Sequence, residues 1–136
     1  IMADESVFGV VDALEGAQMR IADIFSLKVM KSGGIRRCLE VAAIARAAGI
    51  GVYGGCMFET SIAHTAGAHL MAAVPDLTLG CEFYMSSYYA SEDIAETPFP
   101  VRGGKVHLPV GPGLGIRPDP DALARHRTGL LFQSLT

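Results

Sequence analysis

Charge is scarce in this sequence. Only 18% of its 136 residues are charged, and the balance is a net -3. That leaves no basic field for nucleic acid, and the nearest cluster, Lys31, Arg36 and Arg37, reads as a solvated loop and helix start. Cysteine is also sparse. Cys38, Cys56 and Cys81 sit among apolar neighbours without Cys or His partners at zinc spacing, so they read as buried thiols of a reducing, cytoplasmic compartment. No apolar run of membrane length and no secretory leader pattern occurs, which predicts no membrane contact. The GPGLG run at residues 111–115 lacks the spacing and strand-to-helix context of a dinucleotide fingerprint, and no nucleophile-elbow pattern supports a Ser-His-Asp site. His64 and His69 are five apart on an Ala-rich helix, do not share a face, and make a poor metal pair.

What is abundant is apolar surface, at 50% hydrophobic residues. This is rich for a free-standing domain and predicts oligomer contacts or membership of a larger protein. The opening IMADES, an apolar lead into two acids, reads as the middle of a chain. Helix and strand patterns alternate from there. Residues 1–3 end a strand, and Ser6 caps a helix over residues 7–18 with Val7, Val10, Val11 and Leu14 at helical spacing. A strand at 24–28 leads to a loop at 32–34. A helix over 35–48 presents Leu39, Ala42, Ala43 and Ala47 on one face and stops at Gly49. A strand at 50–53, a small-residue helix over 60–74 and a strand from 77 to about 82 follow. Strand ends near Asp4, Lys28, Gly54 and Glu82 fall about 25 residues apart, the length of one βα unit. Such units require a parallel sheet with right-handed crossovers. Ionisable groups at nearly every strand end suit a (β/α)8 barrel, whose C-terminal strand ends share one mouth, and four units make half of one. Beyond residue 94 the pattern changes to a tail. It holds a Gly-Gly turn, an edge strand around Val106, Leu108 and Val110, a helix capped by Asp119 with Pro120 at its first position, and a patternless 129–136 stretch.

Each candidate group has two readings at this level. Asp4 is a divalent-metal ligand or, with Glu5, an acid pair at a helix N-terminus. Lys28 is a general acid or base, or a fixed cation beside an oxyanion, or else a snorkelling surface lysine. Lys31 reads as solvated. Glu82, between Cys81 and Phe83, calls for a raised pKa or a close partner such as a lysine. Glu59 reads as a helix N-terminal acid and, with Tyr84, is a lesser candidate for a substrate pocket.

Four ordered motifs, IMADES, LKVMKSGG, GIGVYGGCMFETSIA and TLGCEFY, with the tail segment VHLPVGPGLGIRPD, resemble the C-terminal half of the muconate cycloisomerase family of the enolase superfamily. The resemblance runs to about Arg127. It implies an α/β fold comprising the last four βα units of an enolase-superfamily barrel at residues 1–94. Residues 95–136 would be a tail packing back toward a capping domain. It further implies Asp4 as one ligand of Mn2+ or Mg2+, Glu5 as an acid just behind it, and Lys28 and Glu82 as catalytic residues. The implied reaction is lactonisation of the dicarboxylate cis,cis-muconate through an enolate, in a homo-oligomer that is octameric in many members. An ammonium in such a dry pocket is expected to have its pKa lowered. The family's Lys-x-Lys motif, its two other metal ligands and its capping domain are absent from these residues, so the isolated chain is expected to be inactive. Chloromuconate cycloisomerases, succinylbenzoate synthases, acylamino acid racemases and dipeptide epimerases share the barrel. The last typically carry Asp-x-Asp where this chain has GCEFY. A non-catalytic, self-associating half-barrel is the reading from another class.

Overall fold

A computed structural model describes residues 1–75, 77–83 and 86–127. Three parallel strands, β1 (Met2–Ala3), β2 (Ile24–Leu27) and β3 (Gly51–Gly54), lie side by side in sequence order. The expected fourth strand contracts to one parallel bridge, Gly54 to Cys81, flanked by Gly54 N–H to the Gly80 carbonyl and Glu82 N–H to the Gly54 carbonyl. Gly80, at φ 76°, takes the left-handed conformation and breaks the extended run just before the bridge. The order of the segments is that of a barrel wall, each strand beside the one before it.

Between the strands run α1 (Val10–Met19), the single turn α2 (Val29–Ser32), α3 (Ile35–Ala47) and α4 (Ser61–Ala73). Helix α3 packs against both α1 and α4, so the helices form one layer. Residues of β2 sort accordingly. Phe25 and Leu27 are buried toward the helices, where Gly16 of α1 allows the Phe25 ring to come close, while Ser26 and Lys28 alternate to the other face. Burying a side chain such as Phe25 contributes about 1.5–3 kcal/mol.

Helix boundaries depart from expectation at α1. Ser6 is not its cap. The helix starts after Gly9, because the Asp12 carboxylate accepts the Phe8 and Gly9 N–H groups at 2.9 Å each. Its inner face also differs. Val7 is buried ahead of the helix, Ala13 and Gly16 face inward, and Val11 and Leu14 are exposed, because only small residues fit the close approach to Phe25 and Ile21. In α3 the buried set is Cys38, Val41, Ala42 and Ala45, which keeps Ala42 of the predicted face, leaves Leu39 half-buried against the core and turns Ala43 and Ala47 outward. Gly49 does end that helix, at φ 71°.

The described tail folds back onto α4. A 3-10 turn (Ser86–Tyr88) precedes Asp93, whose carboxylate accepts from the Ser61 N–H at 3.0 Å, the Ser61 hydroxyl at 2.7 Å and the Ser86 hydroxyl. Asp93 therefore caps α4 from 32 residues away. Burial pushes its carboxyl up, but the Ser86 and Ser61 bonds prevail and hold it below its ordinary value. Phe99 is buried against His64, and Leu114 offers its carbonyl to the His69 ring at 2.9 Å. The predicted edge strand is instead a tight antiparallel hairpin of β4 (Val101–Arg102) and β5 (Lys105–Val106) around Gly103 and Gly104, with Val110 fully exposed beyond it. Asp119 caps α5 (Pro120–Arg125), accepting from the Asp121 and Ala122 N–H groups. The 129–136 stretch lies outside the described residues.

Candidate active site

The C-terminal ends of adjacent strands bring Asp4, Glu5 and Lys28 together. Lys28 follows Leu27, the last residue of β2, and its side chain is 6% exposed. Its Nζ donates to Asp4 Oδ2 at 2.7 Å and to Glu5 Oε1 at 2.8 Å. This excludes the snorkelling reading. Burial works against the ammonium, yet the bonds to Asp4 and Glu5 outweigh it and raise its pKa well above the ordinary lysine value. The expectation of a lowered pKa fails here, since two carboxylates compensate the desolvation.

Lys31 is a second correction. Its side chain is 2% exposed, and the single turn of α2 swings it back under the strand ends. Nζ donates to the Asp4 carbonyl at 2.7 Å, the Ser26 carbonyl at 2.8 Å and Asp4 Oδ1 at 3.2 Å. Desolvation lowers its pKa, against the pull of Asp4. Burial pushes the Asp4 carboxyl up, but Lys28 and Lys31 together hold it below its ordinary value. The sequence signal that was available is spacing. A lysine three residues after a strand-end lysine, followed by the left-handed Gly33 and Gly34, is one helical turn from it.

Glu82 follows Cys81 on the bridge to Gly54, next along the same edge. It is exposed, and Oε1 accepts from the Cys56 N–H at 3.3 Å, with no lysine partner among the described residues. Gly55 joins the two halves of the site. A Cβ there would strike Ser26 Oγ and approach Lys28 Cγ and Cε at 3.0 Å, so its bare Cα makes room for the Lys28 stem. Ser26 Oγ beside it is buried and makes no hydrogen bond among the described residues. Tyr84 lies outside the described residues.

Glu59 is buried and turns inward, accepting from the Met57 N–H; burial raises its pKa. Cys38 and Cys56 are buried, as expected of both, but Cys81 is only half-buried. Cys56 is not remote from metal-ligating groups either: its Sγ, a Glu59 carboxylate oxygen and a His64 ring nitrogen all lie within 4.8 Å of one another. Loop and helix bring this trio together from positions that show no zinc spacing in sequence.

For a hard cation the donors fit in part. Asp4 offers carboxylate oxygens at a strand end, the chemistry that Mg2+ and Mn2+ prefer. Among the described residues no set of three His, Cys, Asp or Glu ligands forms around it.

A wall of parallel strands with carboxylates and lysines at one end is part of a (β/α)8-type barrel. The chain belongs to the enolase C-terminal domain-like family, which it matches over residues 1–122. It is 42% identical over 128 residues to a chloromuconate cycloisomerase of Cupriavidus necator, covering 94% of this chain and 34% of that protein. It is 44% identical over 125 residues to muconate cycloisomerase 1 of Pseudomonas putida, with 92% and 33% covered. A muconate lactonizing enzyme from Pseudomonas fluorescens, solved in complex with muconolactone, superposes with a TM-score of 0.88 at 41% identity, over 94% of this chain and 34% of that one. The chain thus spans about a third of the length of the relatives it matches. No described helix is long and apolar enough to cross a membrane.

Proposed function

We propose that this chain supplies the Asp4, Lys28 and Glu82 side of a cycloisomerase active site, acting on cis,cis-muconate in the full-length protein. The observation that carries this reading is the 2.7 Å contact between Lys28 Nζ and Asp4 Oδ2 at neighbouring parallel strand ends. In that site Asp4 would hold one face of a Mg2+ or Mn2+ ion. The ion, when bound, would offset the charge that gathers on a substrate carboxylate as the enolate forms. Lys28 holds a proton at Nζ, kept there by its carboxylate partners, which suits a fixed cation beside the enolate; delivering the proton to the enolate carbon would require those contacts to loosen. Lys31 sets the position of Asp4, and the Cys56 amide orients Glu82 toward the same mouth. The tail would pack toward a capping domain, and the assembled protein would be a homo-oligomer in the cytoplasm.

One hard-oxygen ligand cannot complete an octahedral shell, so the 136-residue chain alone is expected neither to bind Mn2+ tightly nor to turn over muconate. Calorimetry tests this: the full-length protein is expected to bind Mn2+ through a site lost in Asp4→Asn, and the chain alone to bind it at least tenfold more weakly. Tight Mn2+ binding by the chain alone overturns it. A chloromuconate is the second substrate to compare, because chloromuconate cycloisomerases are as similar as muconate cycloisomerases. The ratio of kcat/KM for the two substrates decides between them.

A further inference from the structure

We propose that Cys56, Glu59 and His64 form a second metal site, distinct from the strand-end carboxylates and suited to a thiophilic divalent cation of the Zn2+ class. Sulfur, carboxylate oxygen and imidazole nitrogen converge within 4.8 Å of one another, and all three residues are buried. The one pair with a defined separation, His64 Nε2 to Glu59 Oε2, is 3.6 Å apart. That is long for a hydrogen bond. It matches the roughly 3.3–3.8 Å edge between two ligands of a tetrahedral zinc ion.

The fold holds each donor independently. Cys56 follows the end of β3, and its Sγ lies 3.3 Å from the Glu82 carbonyl. Glu59 is turned inward by the Met57 N–H, and its own carbonyl is held by the Tyr89 hydroxyl. His64, in the first turn of α4, packs beside the rings of Phe83 and Phe99, with centroids 6.1 and 5.2 Å away, while those two rings contact each other edge to face at 6.3 Å. A thiolate and an imidazole in the donor set select Zn2+, Co2+ or Cd2+ over Mg2+ and Mn2+. Three protein donors leave the fourth tetrahedral position to water. Binding would release the Cys56 thiol proton, which now points at the Glu82 carbonyl, and a divalent cation would neutralise the thiolate and the Glu59 carboxylate left together in the buried site. Because the Cys56 amide also holds Glu82, occupancy of this site would act on the catalytic mouth.

The test is a Co2+ titration of the full-length protein under reducing conditions, with excess Mg2+ present to occupy hard-oxygen sites. The expected result is a near-ultraviolet thiolate-to-cobalt charge-transfer band saturating at one equivalent and abolished by Zn2+. Cys38→Ser and Cys81→Ser should retain the band, Cys56→Ser should lose it, and His64→Gln should weaken Co2+ binding at least tenfold. Should Cys56→Ser fail to fold by circular dichroism, X-ray absorption at the zinc edge of the unaltered protein decides, with one sulfur and otherwise nitrogen or oxygen neighbours expected. Absence of the band in the folded protein, its survival in Cys56→Ser, or a zinc shell without sulfur overturns the proposal. None of these readouts depends on muconate turnover.

Discussion

Lys31 Nζ donates to the Asp4 main-chain carbonyl at 2.7 Å and lies 3.2 Å from Asp4 Oδ1, so one buried ammonium fixes both the backbone and the carboxylate at the end of β1. A third bond, to the Ser26 carbonyl, ties β1 to β2 at the level where the site opens. Lys31→Met keeps the stem but strips these bonds from two carbonyls and a carboxylate. The variant is expected to lose about 2–3 kcal/mol in urea unfolding, in line with charge-assisted bonds whose acceptors are left behind. It should also weaken Mn2+ binding by the full-length protein, because Asp4 loses its anchor. Unchanged stability would mean that the ammonium contributes nothing net.

Gly55 is the position where a single methyl group is expected to reach the site. Its added Cβ would meet Ser26 Oγ and press the Lys28 stem, which sits at 3.0 Å. Gly55→Ala should cost about 1–3 kcal/mol through overpacking. Its effect on kcat should exceed its effect on KM if the displaced Lys28 handles the proton as proposed. A crystal structure of the variant with Lys28 Nζ still on Asp4 and Glu5 would contradict this account.

Acid stability should depend on Asp93. Its folded pKa lies below its ordinary value of 3.8, so its bonds to Ser61 and Ser86 stabilise the fold fully above that value. The contribution disappears as pH falls through the depressed folded value. Asp93→Asn should therefore be less stable than the unaltered protein at pH 7, and the gap should close toward pH 2. Thermal unfolding at several pH values checks this, and a gap that widened on acidification would have the wrong sign.

The regular return of strand ends was legible from the residues themselves, because glycines and helical spacing mark each βα unit. Asp4 and Lys28 could be set at strand ends for the same reason. What escaped was set by tertiary packing. Asp12, three residues after Gly9, took the capping role from Ser6 by reaching back to two free N–H groups. Ala13 and Gly16 displaced Leu14 from the inner face because Phe25 leaves no room for a larger side chain. Lys31 looked like one of several loop cations until the turn of α2 folded it under Asp4. The Cys56, Glu59 and His64 trio is the extreme case, since its donors are brought together by the loop after β3, α4 and the Phe83 and Phe99 rings beside His64. No pairwise spacing encodes that meeting.

The most direct measurement is the rate of cis,cis-muconate cycloisomerisation by the full-length protein with Mn2+ present, compared with its Lys28→Met variant and followed as loss of the diene's ultraviolet absorbance. Turnover by the unaltered protein, with kcat falling about 10²–10⁴-fold in a variant that still folds and still binds Mn2+, is the predicted result. No turnover by the unaltered protein, or undiminished turnover without Lys28, would contradict the account.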